Sequence, residues 1–287
     1  MNNATPQPTA DLDAGLANLR EYGYTIHPGF IDGHRLVQLR ERLLEQADME
    51  RELGLANGGL SISDPIGTGS GLSPVQLVDL LPNKGRVFVD LFMHPLMHAY
   101  YGGLFDGVAG NLTTQTGIIV RTGAREMVTH ADTQAWSFRT PVPVMLNIIV
   151  CLTDFRADMG ATRILPRSHR REAPRLGLDR EGRVAALEDL GSMVPAEADA
   201  GSAILWEGRT WHCQAASTSG RVRLSVGHTF ALHFVKPQEL YATSLHDEVY
   251  ASLGDDELRL LGFEVAQEYA GAGHPGGTRP AGPSALA

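Results

Sequence analysis

The 287-residue chain is poor in sulfur that could cross-link it: it has two cysteines, Cys151 and Cys213. Two thiols cannot build a disulfide framework, and each lies in an apolar stretch where cysteine serves as a small core residue. Cationic charge is also short, with 24 Lys and Arg against 33 Asp and Glu and a formal net charge of -9. A nucleic-acid backbone requires a dense cationic surface, so no nucleic-acid partner is expected, and an anionic membrane surface is disfavoured on the same ground. The longest apolar run, around Val142 to Leu152, is too short to span a bilayer. The opening MNNATPQPTADLDAG lacks the charged-then-apolar order of a signal peptide. No Gly-rich dinucleotide fingerprint, P-loop or Gly-x-Ser-x-Gly elbow occurs. A reduced, cytoplasmic, soluble protein is the expectation.

What is present has the balance of an ordinary globular protein, 43% hydrophobic and 20% charged. Residues 1–10 are polar, contain two prolines and are expected to be disordered. Asp11 to Tyr22 and Asp32 to Leu55 carry helical spacing, with Asp32 as N-cap and Gly54 as stop. GYTIHPGF between them reads as a short strand. Gly54 to Gly71 holds six glycines without periodicity and reads equally as a lid or as a surface excursion. Pro82 to Tyr101 reads as helix broken at Pro95.

From Asn111 the pattern changes to short runs rich in Val, Ile, Thr and aromatics, separated by glycine, proline or charge. A charged, strand-poor insertion is expected between Arg170 and Pro195, and a short helix near Asp255 to Tyr269. No repeat or linker divides the chain. The expectation is one α+β domain over residues 11–270 with a mainly β core, a sandwich or barrel buttressed by N-terminal helices. A flexible tail over 271–287 follows.

The sharpest local feature is THADTQAW, which contains His130-x-Asp132. Residues i and i+2 of a strand share a face, so one strand end can offer an imidazole and a carboxylate to one point. His212, in GRTWHCQAA, supplies a third donor on another expected strand. Two histidines and one carboxylate form the facial triad of non-haem iron(II) oxygenases, with three positions left open. Arg223, eleven residues after His212, could hold a dicarboxylate by a bidentate fork. Arg221 shares its face and is nearly as good by spacing alone. Read singly, each of these residues is more often a hydrogen-bonded structural one. His94 and His98 stand i, i+4 but lack the Glu of His-Glu-x-x-His.

His130-Ala131-Asp132, then GATRILPRSHR (Gly160 to Arg170), then His212 with Arg223 together resemble the phytanoyl-CoA dioxygenase (PhyH-like) family over roughly Thr113 to Val235. The resemblance is similar in length and motif placement to members that act in natural-product (meroterpenoid and alkaloid) biosynthesis. It implies a double-stranded β-helix, or jelly-roll, cupin-like core. It implies Fe(II) on His130, Asp132 and His212, and 2-oxoglutarate held at its far carboxylate by Arg223, consumed with O2 to give succinate and CO2. Thr162 matches a position that bonds the cosubstrate carboxylate. Asn147 is expected to point inward with Met145, Ile149 and Cys151.

Two departures stand out. The family's Pro-Gly-Ser-His reads Pro166-Arg167-Ser168-His169, so the turn glycine is missing; His169 is expected to be structural. The Gln three residues before the first metal His is Met127, so its contact is absent or falls to Gln115 or Gln134. Asp132 predicts oxygenation rather than halogenation, which needs a small residue there.

Trp136, Phe138, Met127 and Leu72, with Trp206 and Phe230, are the expected walls for a bulky hydrophobic small molecule, each equally readable as core. The lack of a basic run favours a free scaffold over an acyl-CoA. The same triad would serve desaturation, epimerisation, cyclisation or endoperoxide formation. A cupin-like enzyme independent of 2-oxoglutarate and a non-catalytic binding module are the competing readings. By similarity, a homodimer is also expected.

Overall fold

The computed structural model describes residues 5–58, 73–108, 110–135, 138–178, 184–186 and 193–263. In chain order the elements are α1 (Leu12–Tyr22), β1 (Tyr24–His27), α2 (Gly33–Glu52), β2 (Val75–Val78), α3 (Arg86–Phe92), α4 (Pro95–Leu104), β3 (Gly110–Val120), β4 (Met145–Cys151), β5 (Thr162–Ile164), β6 (Leu176–Leu178), β7 (Val184–Ala186), β8 (Val194–Pro195), β9 (Ala203–Glu207), β10 (His212–Gln214), β11 (Arg223–Leu232), α5 (Tyr241–Ser244), α6 (Asp247–Ser252) and α7 (Asp255–Leu260). Helices thus come first and strands after, as the sequence predicts. Among the described residues no helix is long and apolar enough to cross a membrane.

The helix starts follow from their caps. Asp11 and Asp32 are extended and accept from Ala14 N and Arg35 N, meeting two of the donors a helix start leaves unpaired. Pro95 opens α4 at its first turn, which explains the expected break. Gly23, at φ +84, ends α1 and turns the chain into β1.

Six strands form one antiparallel sheet in the order β1-β9-β4-β11-β3-β2, and β10-β5-β8 form a second; β6 and β7 pair separately. Alternation gives the large sheet two apolar faces. Leu146, Ile148, Val150, Leu205, Val226 and Phe230 pack with the helices through Leu39, Leu43, Phe88 and Phe92. Ile149, Cys151, Ile204 and Trp206 face the other way and pack with Ile164 of the second sheet and with Phe155. The fold is therefore mixed α and β, with mainly antiparallel sheet and helices along one face.

Two expectations change. Residues 5–10 are not loose: Pro6 is buried, and Thr9 N–H donates to Ile26 C=O at 3.0 Å. α7 closes at Leu260, short of the expected Tyr269, and residues beyond 263 lie outside the described residues. The Arg170–Pro195 insertion is strand-poor as expected: among its described residues it holds only the short β6, β7 and β8. Residues 59–72, most of the Gly54–Gly71 segment, and the 271–287 tail lie outside the described residues.

Candidate metal centre

His212 opens β10, and His130 forms an isolated antiparallel bridge with it. Each donates its N–H to the other's C=O, at 3.0 and 2.9 Å. A directly opposed pair places its side chains on one face, and the two ring centroids lie 4.4 Å apart. The chain then leaves extended geometry: Asp132 opens a single 3-10 turn, Asp132–Ala135. The carboxylate thus reaches the imidazoles from a turn and not from a continuing strand, a correction to the i, i+2 reading. One potential ligand atom from each of His130, Asp132 and His212 lies within 4.8 Å of the others.

The protonation pattern suits a metal. His130 Nδ1 lies 2.9 Å from Val128 C=O, and His212 Nδ1 lies 3.0 Å from Thr210 C=O. A carbonyl only accepts, so each Nδ1 donates its N–H there, which leaves Nε2 as the nitrogen turned toward the other ligands. The Nε2 atoms stand 3.9 and 3.7 Å from Asp132 Oδ1. Burial pulls the His212 pKa down to about 4 against the pull of Asp132, which leaves the ring neutral at ordinary pH.

His130 and His212 line a cavity of about 260 Å3, together with Asn147, Thr162, Trp206 and Arg223. Arg223 is 2% exposed. Its guanidinium donates to Gly160 C=O and to Gln214 Oε1 (3.1 Å) and lies 4.6 Å from the Phe155 ring. No carboxylate pairs with it among the described residues, and its Nε has no partner. Gln214 Nε2 and Ser225 Oγ are buried without partners too. Burial lowers the Arg223 pKa to about 10, so it remains cationic at neutral pH. A buried, unpaired cation is costly and is suited to a carboxylate brought by a ligand. Gly160 takes φ +76, with Ala215 C=O only 3.0 Å from where a Cβ would stand, so glycine alone turns its carbonyl toward Arg223 here.

The other expected residues divide. Arg221 is exposed and pairs with Asp158, which separates it from Arg223. Asn147 points inward as expected, but its amide donates to Asp132 Oδ2 at 2.8 Å. Gln115 faces the opposite side of β3, where its amide donates to Phe88 C=O at 2.8 Å and meets His228 Nε2; it is not a cavity residue. Gln134 stays local, its Oε1 accepting from Ala131 N. Met127 lines the cavity. Phe138 is 66% exposed and lies in a separate cleft of about 210 Å3 with Arg139, Arg171 and Arg209. Phe230 packs on Tyr101 in the helix-side core. Trp136 and Leu72 lie outside the described residues. Sequence reasoning missed Leu77, Thr114, Thr116, Ile118 and Gln214 as lining residues; alternation along β3 groups Thr114, Thr116 and Ile118, but only sheet register identifies their side as inner.

The structural histidines behave as expected. His169 is buried against Arg20 C=O at 3.2 Å, and His94 accepts from Leu96 N at the start of α4. Arg167, in place of the turn glycine, takes φ +65, so the left-handed turn survives without glycine. Its side chain pairs with Glu21 (2.8 Å) and covers the Tyr22 ring.

A family model described as Phytanoyl-CoA dioxygenase (PhyH) matches residues 19–225. Among curated relatives, the uncharacterized protein Rv1501 of Mycobacterium tuberculosis is 30% identical over 118 residues, 41% of this chain and 40% of that protein. Dioxygenase andF of Emericella variicolor is 27% identical over 183 residues, 61% of this chain and 60% of that protein. The chain thus spans between 40% and 60% of the length of these two relatives. Of solved structures, HygX from Streptomyces hygroscopicus with nickel and 2-oxoglutarate bound superposes with a TM-score of 0.60 at 15% identity, over 80% of this chain and 91% of that one. The epimerase SnoN in complex with Fe3+, alpha ketoglutarate and nogalamycin RO gives 0.58 at 19% identity, over 79% and 86%. This second likeness, at such identities, is one of fold.

Proposed function

Since the chain belongs to the phytanoyl-CoA dioxygenase (PhyH) family, we propose that it is a non-haem iron(II)- and 2-oxoglutarate-dependent dioxygenase. It oxidises a C–H bond of a hydrophobic small molecule, a secondary-metabolite scaffold, and releases succinate and CO2. The observation that carries this reading is one cavity lined both by His130 and His212, which converge with Asp132 into a His-Asp-His triad, and by the buried Arg223 guanidinium, which faces no carboxylate among the described residues. A cupin-like enzyme without a dicarboxylate cosubstrate has no use for that cation, which counts against the competing reading.

His130, Asp132 and His212 would hold iron(II) through two Nε2 atoms and Oδ1. Arg223 would hold the far carboxylate of 2-oxoglutarate, with Thr162 beside it in the same cavity. When bound, the iron and 2-oxoglutarate supply the activation of O2 that a protein side chain cannot. The chain's own part is placement and dryness. The Val128 and Thr210 carbonyls accept from each Nδ1, and the buried Arg223 neutralises the incoming carboxylate. Leu77, Ile118, Ile149 and Met127 give the cavity an apolar wall for substrate.

The relatives and neighbours support this reading by their printed names: a dioxygenase, and an epimerase solved with alpha ketoglutarate and a nogalamycin. The carbocyclase SnoK from nogalamycin biosynthesis shares the fold at a TM-score of 0.58. Hydroxylation, epimerisation and ring closure are therefore all within reach of one triad, and product mass separates them. We place the sheets as the two halves of a double-stranded β-helix, the protein in a reducing cytoplasm that suits its two unpaired buried cysteines, and two copies in a homodimer. The test is anaerobic reconstitution followed by O2: wild-type protein should convert 2-oxoglutarate to succinate, and Asp132→Ala should not. Unchanged succinate from Asp132→Ala overturns the reading.

A further inference from the structure

Asp132 shows two different oxygens to its surroundings. Oδ1 faces both imidazole Nε2 atoms, at 3.9 and 3.7 Å. Oδ2 accepts two hydrogen bonds, from Asn147 Nδ2 at 2.8 Å and from Trp206 Nε1 at 3.1 Å. Asn147 and Trp206 are register partners on β4 and β9, and Thr229 of β11 is the register partner of Asn147 on its other side. The Thr229 hydroxyl donates to Asn147 Oδ1 at 2.7 Å. Three side chains therefore stand abreast across three neighbouring strands: Asn147 and Trp206 both donate to one carboxylate oxygen, and Thr229 donates to Asn147.

We propose that Trp206 and Asn147 are positioning residues that restrict Asp132 to one metal-facing oxygen, with Thr229 setting the direction of the Asn147 amide. The inference rests on the reading of the triad as a metal centre. A carboxylate oxygen has two lone pairs, and two N–H donors use both on Oδ2. Turning Oδ2 toward an ion would break at least one of these bonds and leave a buried N–H unpaired, which is disfavoured. A carboxylate free to chelate through both oxygens would instead take one of the three positions a facial triad leaves open. Thr229 matters because a flipped amide would aim Asn147 Oδ1, an acceptor, at the Asp132 oxygen. Trp206 does a second job: its indole lies 4.7 Å from the His212 ring, so one side chain borders two of the three ligands.

Cobalt(II) titration of the full-length metal-free protein tests this without turnover, because the visible Co(II) spectrum reports ligand number. Trp206→Phe keeps an aromatic ring beside His212 and removes only the donor. Trp206→Phe and Asn147→Leu should each weaken Co(II) binding by about 10-fold, and together by up to about 100-fold, the range for losing partners of metal ligands, with a changed band envelope. Thr229→Val should act in the same direction, and Thr229→Ser should restore wild-type binding, which keeps the test decisive if an aromatic variant fails to fold. A structural role alone would lower the unfolding temperature of the metal-free protein and leave Co(II) affinity and spectrum at wild-type values. That pattern overturns the proposal while leaving the metal centre intact. Wild-type protein that takes up no Co(II) would instead remove the metal centre itself.

Discussion

Arg223 is the residue whose surroundings make least sense without a ligand. It is buried, cationic and faces no carboxylate among the described residues, with its Nε unpaired. Charge-assisted hydrogen bonds contribute about 1.5–3 kcal/mol each. Arg223→Met should therefore raise the 2-oxoglutarate concentration for half-maximal succinate formation by roughly 10- to 100-fold, measured at fixed iron and substrate. An unchanged requirement would move the cosubstrate elsewhere. The sequence named Arg223 and the three triad residues because their types and spacing are distinctive. It left Arg221 nearly equal, since residues two apart share a strand face; the difference is that Arg221 lies outside β11 and reaches Asp158 at the surface. Asn147 was placed inward by alternation, but its partner was not legible, because hydrogen bonding to Asp132 depends on how a distant turn packs on β4.

At the scale of elements, local chemistry wrote the helix caps and strand runs plainly, and long-range register stayed hidden. Gln115 shows the limit. Alternation divides β3 into two sets, but only its pairing with β11 and the helices beyond assigns Gln115 to the helix side. The His130–His212 bridge has the same character, joining residues 82 positions apart. The Pro166–His169 turn is a local exception: the fold keeps a left-handed residue where the family has glycine, and Arg167 supplies it. Its neighbours explain the tolerance, since Arg167, followed by Arg170, holds the Glu21 carboxyl below its ordinary pKa. A β-branched residue would keep the left-handed strain and lose these partners. Arg167→Val should unfold at lower urea than Arg167→Gly, by about 1–2 kcal/mol. Equal midpoints would show that the turn relaxes.

At the scale of the molecule, two neutral histidines tie stability to pH. Burial lowers both His212 and His228 to about 4. Unfolding returns each to about 6.5, so between those values the unfolded chain binds more protons and stability rises with pH. The stabilisation is fully present above about 6.5 and is lost as pH falls toward 4, by about 3 kcal/mol for each ring. The metal-free protein should therefore lose stability from pH 7 to pH 5 in calorimetry, and His228→Gln should flatten that dependence. A profile independent of pH would contradict the burial of these rings. The acidic composition read correctly as an absence of basic runs, yet folding gathers Arg139, Arg171 and Arg209 in the cleft with Phe138, a grouping that linear spacing cannot display.

One cavity is proposed to bind iron and 2-oxoglutarate together. Anaerobic addition of iron(II) and then 2-oxoglutarate to the metal-free protein measures this directly through the visible charge-transfer band of the joint complex. Wild-type protein should show a band that saturates with one iron and one 2-oxoglutarate per chain, needs far more 2-oxoglutarate in Arg223→Met, and is lost in Asp132→Ala. A wild-type protein without the band, or an Asp132→Ala protein that retains it, would rule out a shared iron and 2-oxoglutarate site at this triad.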